Sequence, residues 1–233
     1  MGKKLQTAGQ ALKVALPSEL LRERRTKSVI SSFAEDVGMV YFGYTSQRND
    51  EHRLLRGLTT SNSHVDRHYC VGSFQGYDTA LVVRREKILD DTVGSRHRYW
   101  TIVTFDLHTT YDVPPLFMSY RQRRELIESK YVSLSDIPMI HSAPAQTFSK
   151  HWRLFAKMGQ ALEVQSLLND ALLAGISNHF DHLAVEVSDN TVYVYSDIKH
   201  PTRAQLERQM GNGLWFAQHL DAAAEYARHQ LED

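Results

Sequence analysis

Four side chains of metal-ligand type fall at alternate positions of one short segment. They are His64, Asp66, His68 and Cys70. In a β-strand, residues two apart lie on the same face, so this segment predicts a face with two imidazoles, a carboxylate and a thiol. Such groups are suitable ligands for zinc or iron. The pattern therefore indicates a metal-dependent or histidine-based hydrolase built around this face.

The same residues also fit a simpler interpretation, in which they form the exposed polar face of a half-buried sheet. Val65, Tyr69 and Val71 would then form the buried face, and Cys70 would be a small packed residue. The sequence favours this interpretation because no second metal-ligand signature accompanies the segment.

A different pair of histidines offers a second type of chemistry. His108 and His200 each begin a His-x-Thr triplet. Two such triplets on facing strands are typical of two-histidine phosphoesterases, in which one histidine is the base and the other the acid. However, 12 histidines produce such triplets by chance, and Thr202 is better placed to cap a helix.

Composition narrows the class of protein. The chain has 233 residues, 42% of them hydrophobic, with 27 basic and 27 acidic side chains, so a nucleic-acid partner is not expected. One cysteine excludes an internal disulfide. No apolar run approaches the roughly 20 residues that cross a bilayer, and the chain does not begin like a signal peptide. These features predict a soluble cytoplasmic protein.

Positive charge is concentrated at the start of the chain. Residues 1–27 carry seven basic and two acidic side chains, a net charge of +5. This segment could bind weakly to an anionic membrane, which makes a peripheral membrane protein an alternative. The densest basic clusters, Arg22–Arg25 and Arg121–Arg124, are expected to be solvated helix faces that could contact phosphate.

The first part of the chain changes from a helical to a strand-like pattern. Residues 1–35 predict a basic helical segment of two helices interrupted at Pro17. Residues 36–145 predict an antiparallel β-rich region. Its expected strands are 37–45, 64–71, 77–85 and 99–108, with a polar loop at 86–97 and a short helix at 122–130.

The remaining residues, 146–233, predict a strand, a helix, a hairpin and a second helix. The expected strand is 147–156, the first helix is 161–180, and the hairpin turns at Asp189–Asn190. Thr202 is expected to cap a helix that reaches residue 231, in which Gly211 and Gly213 could cause a kink. The fold class is therefore α+β, with the two β regions in separate domains or in one continuous domain.

Three segments carry a resemblance to other proteins: Arg56–Thr60, His68–Asp78 and Phe105–Thr109. They resemble stretches of uncharacterised bacterial proteins with no assigned function. The resemblance spans residues 40–120 and implies no activity, cofactor or site residue.

No intact catalytic motif accompanies the good apolar pattern of this chain. We therefore expect a non-catalytic soluble binding or scaffolding protein, whose partner is another protein or a second copy. The hydrolase and the peripheral membrane protein are the alternatives.

Overall fold

The computed structural model describes residues 3–44, 64–90, 94–120 and 134–232, with side chains for 19–44, 64–87, 97–120 and 134–228. The helices are α1 (Lys3–Asp36), α2 (Ala143–His151), α3 (Ala161–Leu167), α4 (Asp170–His179) and α5 (Arg203–Glu232). The strands are β1 (Val40–Tyr44), β2 (His64–Phe74), β3 (Tyr77–Asp90), β4 (Gly94–Asp106), β5 (Leu116–Tyr120), β6 (Ser135–Asp136), β7 (Trp152–Ala156), β8 (Leu183–Ser188) and β9 (Thr191–Ser196).

The described strands form one antiparallel sheet, so the fold is mixed α+β. Its strand order is β1-β2-β3-β4-β9-β8-β5-β7-β6. β4 pairs with β9, with Val103 opposite Val194, and this pairing joins the two β-rich parts of the chain. Strands from both parts of the sequence therefore share one sheet.

Two apolar clusters lie on opposite faces of this sheet. The larger one contains Phe33 of α1, Phe105 of β4 and Phe216 of α5. The smaller one contains Trp100 and Tyr195 from neighbouring strands, and no described helix contributes to it. The described helices therefore pack on one face of the sheet. None of them is long and apolar enough to cross a membrane.

α1 differs from the predicted pair of helices, because it continues through Pro17 to Asp36. Proline lacks one backbone donor, so it removes one hydrogen bond of the helix rather than ending the helix outright. The second half of α1 is held by the burial of Ile30, Phe33 and Ala34 against the sheet.

The predicted polar loop at 86–97 is also wrong, since β3 and β4 extend through most of it. Glu86 pairs with Arg98 and Asp90 with Gly94, so the hairpin is longer than its apolar residues suggest. The ladder hydrogen bonds are backbone bonds and do not require apolar side chains. The predicted helix at 122–130 lies outside the described residues.

The predicted strand at 147–156 is correct only from Trp152, because the residues before it belong to α2. Ser142 caps this helix: its hydroxyl accepts a hydrogen bond from the Ala145 amide at 3.2 Å. The capped first turn outweighs the strand propensity of Thr147 and Phe148, which follow it.

The predicted helix at 161–180 is divided into α3 and α4. Asn169 causes the division, because its side-chain oxygen accepts a hydrogen bond from the Leu172 amide at 3.0 Å and so caps a new helix. A side chain that competes for backbone donors favours a cap over a helix interior.

α5 begins at a capping box. The Thr202 hydroxyl accepts from the Gln205 amide at 3.3 Å, and the Gln205 side chain accepts from the Thr202 amide at 2.9 Å. Neither Gly211 nor Gly213 interrupts the helix. Gly213 instead allows α5 to lie close to the sheet, since a Cβ there would be 2.4 Å from Cε2 of Phe105.

Candidate functional site

A β-bulge in β2 separates the four side chains of the predicted metal face. Arg67 is opposite Val83 and Cys70 is opposite Leu81, so two residues of β2 face the single residue between them on β3. His68, within this bulge, has a left-handed backbone with φ of 56°. The regular alternation of the strand is therefore lost at this point.

Asp66 lies on the side of the sheet opposite α1 and α5. Both oxygens of its carboxylate accept hydrogen bonds from Arg84, from Nε and Nη2, at 2.7 Å each. Both residues are buried. His64 is on the same side, with Nε2 3.8 Å from Oδ2 of Asp66. The carboxylate predicted to bind a metal is thus bound to a guanidinium.

Cys70 faces the other way, into the larger apolar cluster. It is fully buried, and burial raises the pKa of its thiol to about 12. The expected common face of four side chains is therefore not formed. Within the described part of the chain, no group of three His, Cys, Asp or Glu side chains is arranged to hold a metal ion. Zinc or iron at these residues stays a prediction.

His68 instead joins α1 to the edge of the sheet. Its Nδ1 is 2.8 Å from the hydroxyl of Tyr41 in β1, and its Nε2 is 3.4 Å from Oε1 of Glu23 in α1. The contact between Nε2 and Glu23 is not aligned as a hydrogen bond, so the hydroxyl of Tyr41 is the hydrogen-bond partner of His68 among the described residues. Burial lowers the pKa of His68 and raises the pKa of Tyr41.

A cavity of about 230 Å³ opens beside His68, between α1 and strands β2 to β4. We call it the helix–sheet cleft. Its polar lining is Glu19, Glu23, Arg67, His68, Arg85 and Lys199, and its less polar lining is Leu20, Val83 and Tyr99. The lining comes from α1, from three strands and from the residues before α5.

Two ion pairs cross the cleft and attach α1 to the rest of the molecule. Arg67 donates to Glu23 at 3.0 Å, and Lys199 donates to Glu19 at 3.0 Å. Burial acts to raise the pKa of Glu23, but the hydrogen bond from Arg67 lowers this pKa on balance. Each of these two cations is therefore matched by a carboxylate.

Arg85 is different, because it lines the cleft without a carboxylate partner in the described part of the chain. It makes no hydrogen bond or ion pair with the described residues, although it is only partly exposed. With three cations and two carboxylates in its lining, the cleft has one excess positive charge at neutral pH. A site of this kind attracts an anion.

Among the described residues that line the cleft, the only hydroxyl is the phenol of Tyr99, and no thiol is present. Serine, threonine and cysteine are absent from it, and the buried thiol of Cys70 is directed into the apolar cluster. The described lining therefore offers cations that can hold an anionic group in place.

The two histidines of the predicted phosphoesterase pair contact different parts of the molecule. His108 stacks on Tyr77, with ring centroids 4.1 Å apart, and its Nε2 is 3.2 Å from the Gly76 carbonyl. His200 lies against α1, with Nδ1 2.6 Å from Oγ1 of Thr26. The structure does not show them around a common substrate position.

Most residues that line the helix–sheet cleft could not be predicted from the sequence. Glu23, Arg67, Arg85 and Lys199 come from distant parts of the chain and have ordinary surface-residue types. The local signals were His68, which belongs to the predicted metal face, and the basic cluster Arg22–Arg25, which surrounds Glu23.

Comparison with known proteins gives a fold but no family. No protein-family model and no curated protein matches this chain. Among solved structures, the chain is similar to the mycobacterial trehalose monomycolate transport factor A, with a TM-score of 0.62 and 10% identity. The match covers 84% of this chain and 95% of that one. At this identity the likeness shows a shared fold only.

Proposed function

We propose that this chain is a non-catalytic binding protein that takes a small organic anion in the helix–sheet cleft. The observation that carries the proposal is Arg85, a partly buried cation at the cleft with no carboxylate partner among the described residues. A ligand carboxylate would give this guanidinium the partner that the described residues do not supply.

The rest of the cleft indicates what else the ligand carries. Leu20, Val83 and Tyr99 provide an apolar surface beside the cations, which suits a short aliphatic chain attached to the anionic group. A cytoplasmic location is part of this proposal. The structural neighbour is named as a transport factor rather than as an enzyme, and a non-catalytic role agrees with that name.

Calorimetric titration with octanoate tests the proposal. A hydrogen bond to a charged group contributes about 1.5–3 kcal/mol, so Arg85→Gln is expected to weaken binding about tenfold or more. Arg208→Gln is the matched control, because Arg208 is exposed on α5, does not line the cleft and carries the same charge. Equal affinity in the two variants, or no saturable binding to the wild type, would reject the cleft as the ligand site.

Exposed leucines in α1 favour peripheral membrane attachment as a second candidate. Leu20 and Leu21 are 59% and 63% exposed, beside the basic cluster of Arg22, Arg24 and Arg25. Apolar and basic side chains together bind anionic surfaces in a salt-sensitive manner. We expect Leu21→Gln to reduce sedimentation with phosphatidylserine vesicles, and equal sedimentation of wild type and variant would contradict this role.

A further inference from the structure

A second cavity, of about 570 Å³, lies between α1 and the residues that lead into α5. Its polar lining consists of Arg22, Arg25, Thr26, His200, Thr202 and Arg203. We call it the basic cavity. It is lined by none of the residues of the helix–sheet cleft, so it is a separate site.

Two of its cations have no carboxylate ion-pair partner among the residues that the structure describes. Arg22 and Arg25 are one helical turn apart in α1, and neither side chain makes an ion pair with the described residues. Arg203 differs, because it bonds to Asp36 and Glu207. The nearby carboxylate of Glu19 is occupied by Lys199. Within the described part of the chain, Arg22 and Arg25 therefore supply two guanidinium groups that form no ion pair, although Arg22 lies close enough to Glu19 to lower the pKa of that carboxyl.

His200 adds a buried polar atom that has no hydrogen-bond partner among the described residues. The Thr26 hydroxyl donates to the Arg22 carbonyl at 2.9 Å, so it can only accept from Nδ1 of His200 at 2.6 Å. The imidazole proton is therefore on Nδ1, which leaves Nε2 as an acceptor. Nε2 is buried and has no hydrogen-bond partner in the described structure.

A ligand held between Arg22 and Arg25 accepts hydrogen bonds from them, and a ligand that reaches Nε2 of the neutral His200 imidazole donates a hydrogen bond to it. Hydrogen phosphate does both, because its unprotonated oxygens accept and its single hydroxyl donates. Sulfate, which has a similar size and charge, carries no proton at neutral pH and cannot donate. A carboxylate is likewise unable to donate when it is ionised.

We propose that the basic cavity binds a phosphate group, held by Arg22 and Arg25 and by a hydrogen bond from the phosphate hydroxyl to Nε2 of His200. The start of α5 adds to this preference, since the N-terminal end of a long helix is electropositive. The proposal goes beyond the anion of the cleft, because it rests on different residues and on a different ligand chemistry.

Calorimetric titration with inorganic phosphate, at neutral pH and constant ionic strength, tests the site. Loss of one charged hydrogen bond in Arg25→Gln is expected to weaken phosphate binding about tenfold or more. Arg24→Gln is the matched control, since Arg24 is exposed on the same helix, does not line the cavity and carries the same charge. Its phosphate affinity is expected to equal that of the wild type.

Sulfate tests the role of His200. The wild type is expected to bind phosphate more tightly than sulfate, and His200→Ala to lose this preference. If His200→Ala does not fold, the ratio of the phosphate affinity to the sulfate affinity of the wild type tests the role of His200 by itself. Equal affinity for the two anions, or equal phosphate affinity in Arg24→Gln and Arg25→Gln, would overturn the proposal.

The phosphate could belong to a soluble compound or to a lipid headgroup. Flotation with phosphatidic acid vesicles, competed by inorganic phosphate, assigns the lipid source; phosphatidylcholine vesicles are the control. Phosphate binding without flotation assigns a soluble source. If the protein shows neither phosphate binding nor flotation with phosphatidic acid vesicles, the proposed site is overturned. The octanoate affinity of Arg25→Gln is expected to equal that of the wild type, which separates this test from the test of the helix–sheet cleft.

Discussion

Two glycines of α5 offer a matched pair of substitutions with opposite expected signs. Gly213 faces the sheet, and a Cβ added there would be 2.4 Å from Cε2 of Phe105 and 3.0 Å from Cγ2 of Val194. Gly211 lies two residues earlier, and an added Cβ would meet nothing within 4 Å. Gly211→Ala and Gly213→Ala therefore differ in packing but not in backbone chemistry.

Two effects determine how each substitution changes the free energy of unfolding. Alanine stabilises a helix interior by about 0.8–1 kcal/mol relative to glycine, at both positions. Gly213→Ala also overfills a packed core, because Phe105 and Val194 are fully buried and cannot move freely, and overpacking costs about 1–3 kcal/mol. We expect Gly211→Ala to be stabilised by up to about 1 kcal/mol. We expect Gly213→Ala to range from neutral to destabilised by about 2 kcal/mol.

The difference between the two variants isolates the overpacking cost, because the helix-propensity gain cancels. For a chain of this size 1 kcal/mol corresponds to about 2–4 °C, so the Tm values are expected to differ by about 2–12 °C, with Gly213→Ala lower. Thermal and urea unfolding followed by circular dichroism measure this difference. A Gly213→Ala variant as stable as Gly211→Ala would show that α5 does not pack on the sheet as described.

Further outcomes are expected elsewhere in the molecule. Because burial raises the pKa of Cys70 to about 12, a disulfide reagent at neutral pH is expected to modify this thiol only after unfolding, and rapid labelling of the native protein would contradict its burial. Arg84→Gln leaves the Asp66 carboxylate buried without its guanidinium and is expected to cost about 3–5 kcal/mol in urea unfolding. Burial lowers the pKa of His68, so as the pH falls through about 6.5 the unfolded chain gains a proton there before the folded chain does. Stability is therefore lost on acidification, and His68→Gln is expected to make this loss smaller. Elemental analysis of protein purified without chelator is expected to give equally low zinc and iron in the wild type and in a His64→Ala/His68→Ala variant; metal lost only in the variant would support the hydrolase.

Several elements of this fold follow from residues a few positions apart. Asp189 and Asn190 both adopt positive φ and turn β8 into β9, as expected of residues that tolerate this backbone. Thr202 and Gln205 form the capping box that starts α5. These signals are local, since a turn or a cap is formed by the chemistry of neighbouring residues alone.

The division of the predicted metal face could not be read in the same way. The alternation of residues 64–70 is correct up to Arg67, and the bulge at His68 then reverses it. A bulge depends on how β2 pairs with β3, and a shift of one residue moves every later side chain to the other face.

The cleft and the basic cavity depend still more on the tertiary structure. Glu23 meets Arg67 and His68, and Thr26 meets His200, only because α1 packs across the sheet beside the start of α5. The α+β class, the capped start of α5 and the turn at Asp189–Asn190 could be predicted from the residues alone, because these features depend on short-range backbone chemistry. Strand register and helix docking decided which charged groups meet, because these depend on contacts between residues far apart in the chain.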